Sequence, residues 1–359
     1  MSFIKRFWKL ASVLALAVAA HAPGVHAQEI KKPNLVIIAT GGTIAGAGAS
    51  SANVSAYQSA VVGVDKLIAA VPEIKSVANV KGEQLLQIGS ESFNNERWLK
   101  LAQRVSDLLK SPDVDGIVIT HGTDTLEETS YLLYLTLKSA KPVVLVGSMR
   151  PGTALSADGP LNLYNAVLVA ASKQAVGMGT LVVMNDEIHS ARDVTKTNSL
   201  KVETFRSLYG PLGTVVEGQV RFYRAPIRPH TLQSEFTVDD IRSLPEVNVV
   251  YTHGNMSRVP YDAFVTAGSK AIIHMGYGNG SVPDYLDAVL KEVRAKGVII
   301  VRTTRTGSGA IVRNGETNDD KNDYVVVDDQ SPAKARILTA LALTKTTDTK
   351  ELQRIFWKY

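Results

Sequence analysis

The stretch that decides the fold is residues 34–46, which read NLVIIATGGTIAG. An apolar run gives way to two glycines and a threonine, Gly41, Gly42 and Thr43. A short run that is apolar on both faces is typical of a buried strand in a parallel sheet, and the glycines predict a tight turn at its end. Taken alone, such a turn fits a plain strand-to-helix connection as well as a place where a ligand approaches the backbone.

The same pattern recurs along the chain. Between the apolar runs lie segments with helical spacing, such as residues 98–109, where the apolar residues fall on one helical face. Alternation of this kind predicts α/β architecture, with a larger N-terminal domain built on a parallel sheet and a smaller C-terminal α/β domain. Six further runs are predicted as strands: residues 116–120, 142–147, 180–184, 247–252, 271–275 and 297–302.

Residues 1–27 have the pattern of a secretory signal peptide. A basic start is followed by the apolar run Leu10–Ala20 and by the small-x-small sequence Val25–Ala27. The apolar run is too short to span a bilayer, so we expect cleavage near Ala27 and export to the periplasm. An uncleaved membrane anchor is the alternative interpretation.

The rest of the chain divides where the strand–helix rhythm stops. Residues 218–245 contain Pro226, Pro229 and several charges but no apolar run, which favours a connector. The predicted division is therefore an N-terminal catalytic domain at 28–217, a connector at 218–245 and a C-terminal domain at 246–359. A length of 359 residues is enough for two such domains.

Composition excludes several classes of function. Three of the 39 basic residues and none of the 34 acidic ones lie in residues 1–27, so the mature chain has 36 basic residues against 34 acidic ones, a net charge of +2. No basic run is interleaved with aromatic residues, which argues against a nucleic-acid partner. The chain has no cysteine, which removes disulfides and thiolate chemistry, and no ligand spacing indicates a metal.

Polar residues follow the predicted strands, at the sheet edge where parallel sheets bind ligands. Thr43 follows the first run, Thr123 and Asp124 follow the second, and Lys196 comes after the fourth. A threonine hydroxyl becomes a nucleophile when a base takes its proton. A lysine kept neutral by its surroundings can be that base, and a carboxylate can orient it. These residue types together indicate nucleophilic catalysis.

Each of these residues also has a plainer interpretation. Lys196 alone fits a solvated surface lysine, and His121 fits a residue that only braces its loop. Thr125, with Glu127 and Glu128 after it, is predicted to cap the next helix in a capping box. The agreement of several strand-end segments favours the catalytic interpretation.

Three segments resemble the signatures of bacterial type II, periplasmic L-asparaginases: ATGGTIAG at 39–46, THGTDTLEET at 120–129 and RDVTKT at 192–197. The resemblance covers essentially the whole mature chain. GSMRP at 147–151, TGSGAIVRNGE at 306–316 and the lack of cysteine are most similar to the glutaminase-asparaginases of that branch.

The resemblance implies catalytic roles for five residues. Thr43 matches the primary nucleophile, and Tyr57 matches a tyrosine that closes over the substrate and assists Thr43. Thr123, Asp124 and Lys196 match a Thr–Asp–Lys arrangement deeper in the site. The glycine- and serine-rich residues 46–63 would then form a lid that excludes water.

The resemblance also implies how a zwitterionic amino acid is held. Ser90 matches the residue that binds the α-carboxylate, Asp124 matches the one that holds the α-amino group, and Thr123 lies beside them. Asn255 and Glu316 match residues that enter the site from a neighbouring subunit, although the spacing around Glu316 fits loosely.

The expected activity is hydrolysis of the side-chain amides of L-glutamine and L-asparagine through an acyl-enzyme, with no cofactor. The resemblance further implies a homotetramer built from two intimate dimers, no nucleic-acid partner and no membrane association after the signal is cleaved. Two alternatives stay open: a periplasmic solute-binding protein that binds an amino acid without turnover, and a nucleotide-dependent enzyme. The second lacks both the P-loop and the dinucleotide-binding patterns.

Overall fold

The apolar run at 34–41 forms the first strand of a large central sheet, as the sequence predicts. A computed structural model describes residues 31–359, so the predicted signal peptide at 1–27 lies outside the described residues. All seven predicted runs are strands. The strands, in chain order, are β1 (Asn34–Gly41), β2 (Asn79–Ile88), β3 (Gly116–Thr120), β4 (Val143–Val146), β5 (Thr180–Met184), β6 (Glu187–Ser190), β7 (Val194–Lys196), β8 (Phe205–Ser207), β9 (Gly213–Val216), β10 (Gln219–Phe222), β11 (Val247–Tyr251), β12 (Ala271–Gly276), β13 (Ile299–Thr304) and β14 (Val325–Val326).

Helices fill the connections between these strands. None of those found between residues 31 and 359 is long and apolar enough to cross a membrane. They are α1 (Val64–Ala69), α2 (Ile74–Val77), α3 (Asn95–Lys110), α4 (Leu126–Thr136), α5 (Gly159–Ala171), α6 (Val259–Thr266), α7 (Asp284–Ala295), α8 (Asp319–Asn322), α9 (Pro332–Ala342) and α10 (Thr349–Lys358).

The large sheet has eight strands in the order β10-β9-β6-β5-β4-β3-β1-β2. The strands from β5 to β2 in this order are parallel to their neighbours, and β6, β9 and β10 extend the sheet with antiparallel pairs. The parallel strands agree with the predicted architecture. The antiparallel extension was not predicted, because its strands are only four residues long and partly polar, so no apolar run marks them.

The smaller sheet is parallel throughout, in the order β11-β12-β13-β14. This agrees with the predicted second α/β region. Strand β10 lies within the predicted connector, so the large sheet continues into residues 218–222. A separate two-stranded sheet pairs β7 with β8.

One apolar core joins the two regions. The buried cluster that includes Ile38 of β1 and Leu133 of α4 also includes Ile273 of β12 and Leu338 of α9. Helix α9 packs against α4 on one side and against β11 and β12 on the other. Contacts from the C-terminal helices therefore reach the helix that follows the Thr123 loop.

Helix α3 shows why the periodicity was informative. Its N-cap residue Asn94 accepts a hydrogen bond from Arg97 N at 2.9 Å, which satisfies one of the free amides of the first turn. Trp98, Leu101 and Val105 are buried on the predicted face. The N-cap and the buried apolar face thus fix where α3 begins and which side of it packs on the sheet.

Candidate active site

The turn after β1 lies directly against the loop after β3. Gly42 has a φ of +79°, a left-handed conformation that favours glycine. A Cβ on Gly42 would lie 2.3 Å from Gly122 Cα, so only glycine permits this approach. The glycines that precede Thr43 and Thr123 therefore bring the two predicted threonine segments together.

Thr43 is partly buried, and its hydroxyl meets the phenol of Tyr57. The Thr43 Oγ1 to Tyr57 hydroxyl distance is 2.7 Å. Tyr57 comes from the predicted lid, which folds back on itself through paired Ala47 and Gln58. The Tyr57 ring lies against Gly46, where a Cβ would be 2.9 Å from a ring carbon. The structure thus brings together the two residues that the resemblance paired.

The lid is held by the turn that follows β4. Thr153 Oγ1 accepts a hydrogen bond from Gly48 N at 2.9 Å, and Gly152 N donates to Gly46 O at 3.1 Å. Sequence reasoning did not single out Thr153. Its position, two residues beyond Pro151 of the GSMRP segment, was the signal that could have drawn attention to it.

Thr123 and Asp124 share one lysine. Lys196 Nζ donates to Thr123 Oγ1 at 2.9 Å and to Asp124 Oδ1 at 2.6 Å. Thr123 is buried, the Lys196 side chain is 18% exposed and the Asp124 side chain is 58% exposed. The hydroxyl and the amine are therefore shielded, while the carboxylate stays open to a ligand from solvent. The three residues that the sequence predicts as a unit form one.

Ser90 lies beneath this cluster. Its Oγ accepts a hydrogen bond from Asp124 N at 3.1 Å, and its carbonyl accepts one from Thr125 Oγ1 at 2.8 Å. Ser90 is buried, and its own hydroxyl hydrogen has no acceptor within residues 31–359. That hydrogen is free for a ligand carboxylate.

The predicted capping box at Thr125 is wrong. Helix α4 does begin at Leu126, but the Thr125 side chain makes no capping bond to it. The Thr125 hydroxyl instead donates a hydrogen bond to Ser90 O, which lies outside the helix. Tertiary contact has overridden a local preference.

His121 braces the Thr123 loop, as its plainer interpretation held. Gly122 O can only accept, so the 2.7 Å contact places the hydrogen on His121 Nδ1. Nε2 then accepts from Thr129 Oγ1 at 3.0 Å, and Thr129 in turn accepts from Trp98 Nε1 at 2.8 Å. Burial lowers the pKa of His121 to about 4, against the opposing effect of the Gly122 bond. The ring is therefore neutral and rigidly placed.

Asn255 and Glu316 lie elsewhere. Both are exposed and follow strands of the smaller sheet, β11 and β13 respectively. Glu316 accepts a hydrogen bond from Ser281 Oγ. No hydrogen bond or ion pair within residues 31–359 joins either residue to the threonines, so one subunit alone does not bring them into this cluster. Residues 31–359 contain no group of three or more His, Cys, Asp or Glu side chains that could hold a metal ion.

Comparison with known protein families gives two matches. The family model "Asparaginase, N-terminal" matches residues 34–228, and "Glutaminase/Asparaginase C-terminal domain" matches residues 246–356. This chain belongs to the asparaginase family. The first match spans every residue of the threonine cluster, and the second spans Asn255 and Glu316.

Individual asparaginase-family relatives cover nearly the full chain. A glutaminase-asparaginase from Pseudomonas fluorescens biotype A is 57% identical over 98% of this chain and 97% of its own. A protein from Haemophilus influenzae named probable periplasmic L-asparaginase is 49% identical, over 90% of this chain and 92% of its own. A crystal structure of a probable cytoplasmic L-asparaginase from Campylobacter jejuni is 44% identical with a TM-score of 0.89, and the match covers 91% of this chain and 100% of that one. Family and fold agree with the expectation drawn from the three signature segments.

Proposed function

We propose that the chain hydrolyses the side-chain amides of L-glutamine and L-asparagine to glutamate or aspartate and ammonia. The observation that carries the proposal is the contact of Lys196 Nζ with both Thr123 Oγ1 and Asp124 Oδ1, beside the turn that bears Thr43. A site that only binds an amino acid has no use for two hydroxyls of this kind and an adjacent amine.

Substrate recognition is assigned to the open polar groups of the cluster. The ammonium group of the amino acid pairs with the exposed carboxylate of Asp124, and the free hydrogen of Ser90 is donated to the α-carboxylate. Both residues sit at the start of α4 or directly under it. The side-chain amide then extends towards Thr43 and Thr123.

We assign the attack to Thr43. Its Oγ1 bonds to the amide carbon, and its proton passes to the amide nitrogen while the Tyr57 hydroxyl stays hydrogen-bonded to Thr43 Oγ1 and assists the transfer, so that the C–N bond breaks and ammonia leaves. Water then attacks the ester on Thr43 and gives its proton to Lys196 through Thr123. The C–O bond to Thr43 breaks, the acid is released, and the proton that Lys196 accepted returns to Thr43 Oγ1, so that both residues regain their starting states. Attack by Thr123 with Lys196 as its base is the alternative assignment.

The decisive experiment measures ammonia released from L-glutamine and from L-asparagine, side by side, by the purified chain without added metal or nucleotide. We expect turnover of both. Because host amidases can contaminate a preparation, the control is the double variant Thr43→Val/Thr123→Val purified in the same way, which should release none. Tight binding of an amino acid without ammonia would instead identify a binding protein.

We further propose a homotetramer of two intimate dimers. Asn255 and Glu316 stand away from the threonines within one subunit, so a contribution to the site requires a neighbouring subunit. Sedimentation velocity at the assay concentration should show a tetramer. An active monomer would contradict this assignment.

Export and the division into domains also stay proposals. The pattern of residues 1–27 and the name of the Haemophilus influenzae relative support a periplasmic location. N-terminal sequencing of protein from the periplasmic fraction should begin near Gln28. The proposed domains are 28–217 and 246–359, with 218–245 between them, and proteolysis of the folded chain within residues 223–245, beyond β10, would support that connector.

A further inference from the structure

Lys196 sits on a strand that cannot hold it in place by itself. Strand β7 has three residues, Lys196 is the last of them, and within residues 31–359 the strand pairs with β8 alone. Two-stranded ribbons are marginally stable in water. A group that must stay 2.9 Å from Thr123 Oγ1 therefore needs support from outside the ribbon.

Two side chains supply that support next to Lys196. Thr195 Oγ1 donates a hydrogen bond to Glu127 Oε2, and Lys334 Nζ donates one to the carbonyl of Val194. Successive strand residues point to opposite faces, so Thr195 anchors the strand on the side away from Lys196. The backbone of β7 is thus fixed at both residues that precede Lys196.

Glu127 connects this anchor to the other half of the site. It belongs to the first turn of α4, the helix that begins directly after the loop carrying Thr123 and Asp124. The loop and β7 are therefore both fastened to the start of the same helix. The contact between Thr195 and Glu127 therefore links the strand of Lys196 to the helix that follows Thr123.

Lys334 loses the hydration of its ammonium group in this position, which costs stability. Its side chain is 3% exposed, and its Nζ is 3.8 Å from Glu127 Oε2. Burial lowers the pKa of the Lys334 ammonium, although Glu127 opposes the effect. Replacing a buried charged side chain by an apolar one of similar volume often costs no stability, so packing of α9 against α4 does not require a lysine here. The buried amine instead supplies a donor that Val194 O would otherwise lack.

We propose that Glu127, Thr195 and Lys334 form a positioning clamp that sets the distance between Lys196 and Thr123. The proposal rests on the proposed amidohydrolase function and assigns to α9 a part in that site. None of the three residues touches the reacting atoms. Each acts through the backbone of β7.

The matched control lies on the same two helices. Arg336 of α9 bonds to Glu128 of α4 at 2.7 Å, with the two side chains 17% and 16% exposed. This ion pair joins α9 to α4 as Lys334 does, but it makes no contact with β7. Losing it weakens the helix contact and the packing of Arg336 over the Trp98 ring, at 4.6 Å, and leaves the hydrogen bonds of Glu127, Thr195 and Lys334 in place.

The experiment compares Thr195→Val, Lys334→Met and Arg336→Met in the full chain. Displacing a catalytic group by about 1 Å costs up to about a hundredfold in rate, so we expect Thr195→Val and Lys334→Met to lower kcat by about tenfold or more. KM should not rise, because Ser90, which holds the α-carboxylate, makes no hydrogen bond to β7, and a slower attack of water lets the ester on Thr43 accumulate, which lowers KM. Arg336→Met should keep kcat within about twofold even where its melting temperature falls as far as that of Lys334→Met.

A second readout does not need turnover. Acetic anhydride should acetylate Lys196 several-fold faster in Thr195→Val and Lys334→Met than in the wild type or Arg336→Met, measured by mass spectrometry of the Lys196 peptide. If the wild type releases no ammonia, the proposed function fails, and this labelling still tests the clamp. Should Lys334→Met not fold, Thr195→Val carries the test alone.

Two results would overturn the clamp. One is Thr195→Val with wild-type kcat and wild-type labelling of Lys196. The other is a loss of kcat in Arg336→Met equal to that in Lys334→Met, which would mean that any loosening of α9 against α4 has the same effect.

Discussion

Thr43 and Thr123 are held in different ways. Thr43 is partly exposed, and its hydroxyl meets a single phenol that arrives on a surface segment. Thr123 is buried in a loop braced by His121 from within and by Ser90 from below, and its hydroxyl meets Lys196. One threonine depends on a segment that folds over it, and the other belongs to the interior.

The difference assigns different tasks to the two hydroxyls. A substrate must pass the lid that carries Tyr57, so in the proposed mechanism the contact between Thr43 and Tyr57 opens and forms again in each cycle. A proton relay needs fixed distances before the substrate arrives, because preorganised groups do not have to be rearranged during the reaction. The Thr43 side, whose glycine- and serine-rich lid is predicted to be flexible, therefore suits the attack on the amide, and the Thr123 side, which is the rigid side, suits proton transfer.

The largest effect expected is the loss of either hydroxyl. Thr43→Val and Thr123→Val each keep the β-branched shape and should each lower kcat by about 10³-fold or more, because each removes a group used in the transition state. Mass spectrometry with a slowly turned-over substrate should find an acyl group on Thr43 in the Thr123 variant and none in the Thr43 variant. Thr214→Val on β9 is the control. Acylation of Thr123 instead would reverse the assignment.

Lys196→Met comes next. Loss of a general acid–base group should lower kcat by about 10²- to 10⁴-fold while the dissociation constant of the substrate changes little. Because the proposed relay serves the attack of water, the variant should accumulate the ester on Thr43, visible as a burst of ammonia followed by slow turnover. An unchanged rate would remove Lys196 from the mechanism. A loss of rate without a burst would place Lys196 in the first step.

The sequence predicted the framework of this site better than its details. The runs at β1, β3, β4 and β5 are apolar because both sheet faces are covered, so composition alone marks them. Strand β2 lies at the sheet edge with polar residues along it, and nothing in its composition separates it from a loop. The strand-end rule then placed Thr43, Thr123 and Asp124 near one another.

What the sequence could not predict depends on contacts between distant residues. Thr125 has the local pattern of a helix cap, yet its hydroxyl donates a hydrogen bond to a carbonyl 35 residues away in the sequence. Lys334 lies 140 residues from Val194, so no spacing could have paired them. Asn255 and Glu316 cannot be placed by one subunit at all. Local rules identify elements and candidate residues, and tertiary packing decides which partners they meet.

The rigid side should also be the acid-sensitive side. The unfolded pKa of histidine is about 6.5, and that of His121 in the folded chain is about 4, so the unfolded state binds more protons between these values and stability falls as pH falls. Between pH 7 and pH 5 this contribution amounts to about 2 kcal/mol for His121. Residues 31–63, which include the Thr43 side, contain no histidine.

Urea unfolding at the two pH values measures this effect. His121→Gln should reduce the loss of unfolding free energy between pH 7 and pH 5 by about 2 kcal/mol relative to the wild type, whatever it does to stability at pH 7. His253→Gln is the control, since His253 is exposed. An equal pH dependence in wild type and His121→Gln would show that the ring is not held neutral and that His121 does not brace the Thr123 loop in the way its hydrogen bonds indicate.

The smallest effect expected is that of Tyr57→Phe, which removes one hydroxyl from the Thr43 side. The ring still packs on Gly46, so the melting temperature should not change. A hydrogen bond of this kind is worth about 1–1.5 kcal/mol, which corresponds to about a tenfold fall in kcat. Comparing the fall in kcat of Tyr57→Phe with that of Thr43→Val then shows how much the phenol contributes. If Tyr57→Phe lost as much as Thr43→Val, the phenol would be an obligatory proton carrier, and the Thr43 side would contain a complete catalytic pair. If it lost nothing, Thr43 would be activated from the Lys196 side, and the two threonines would share one source of activation.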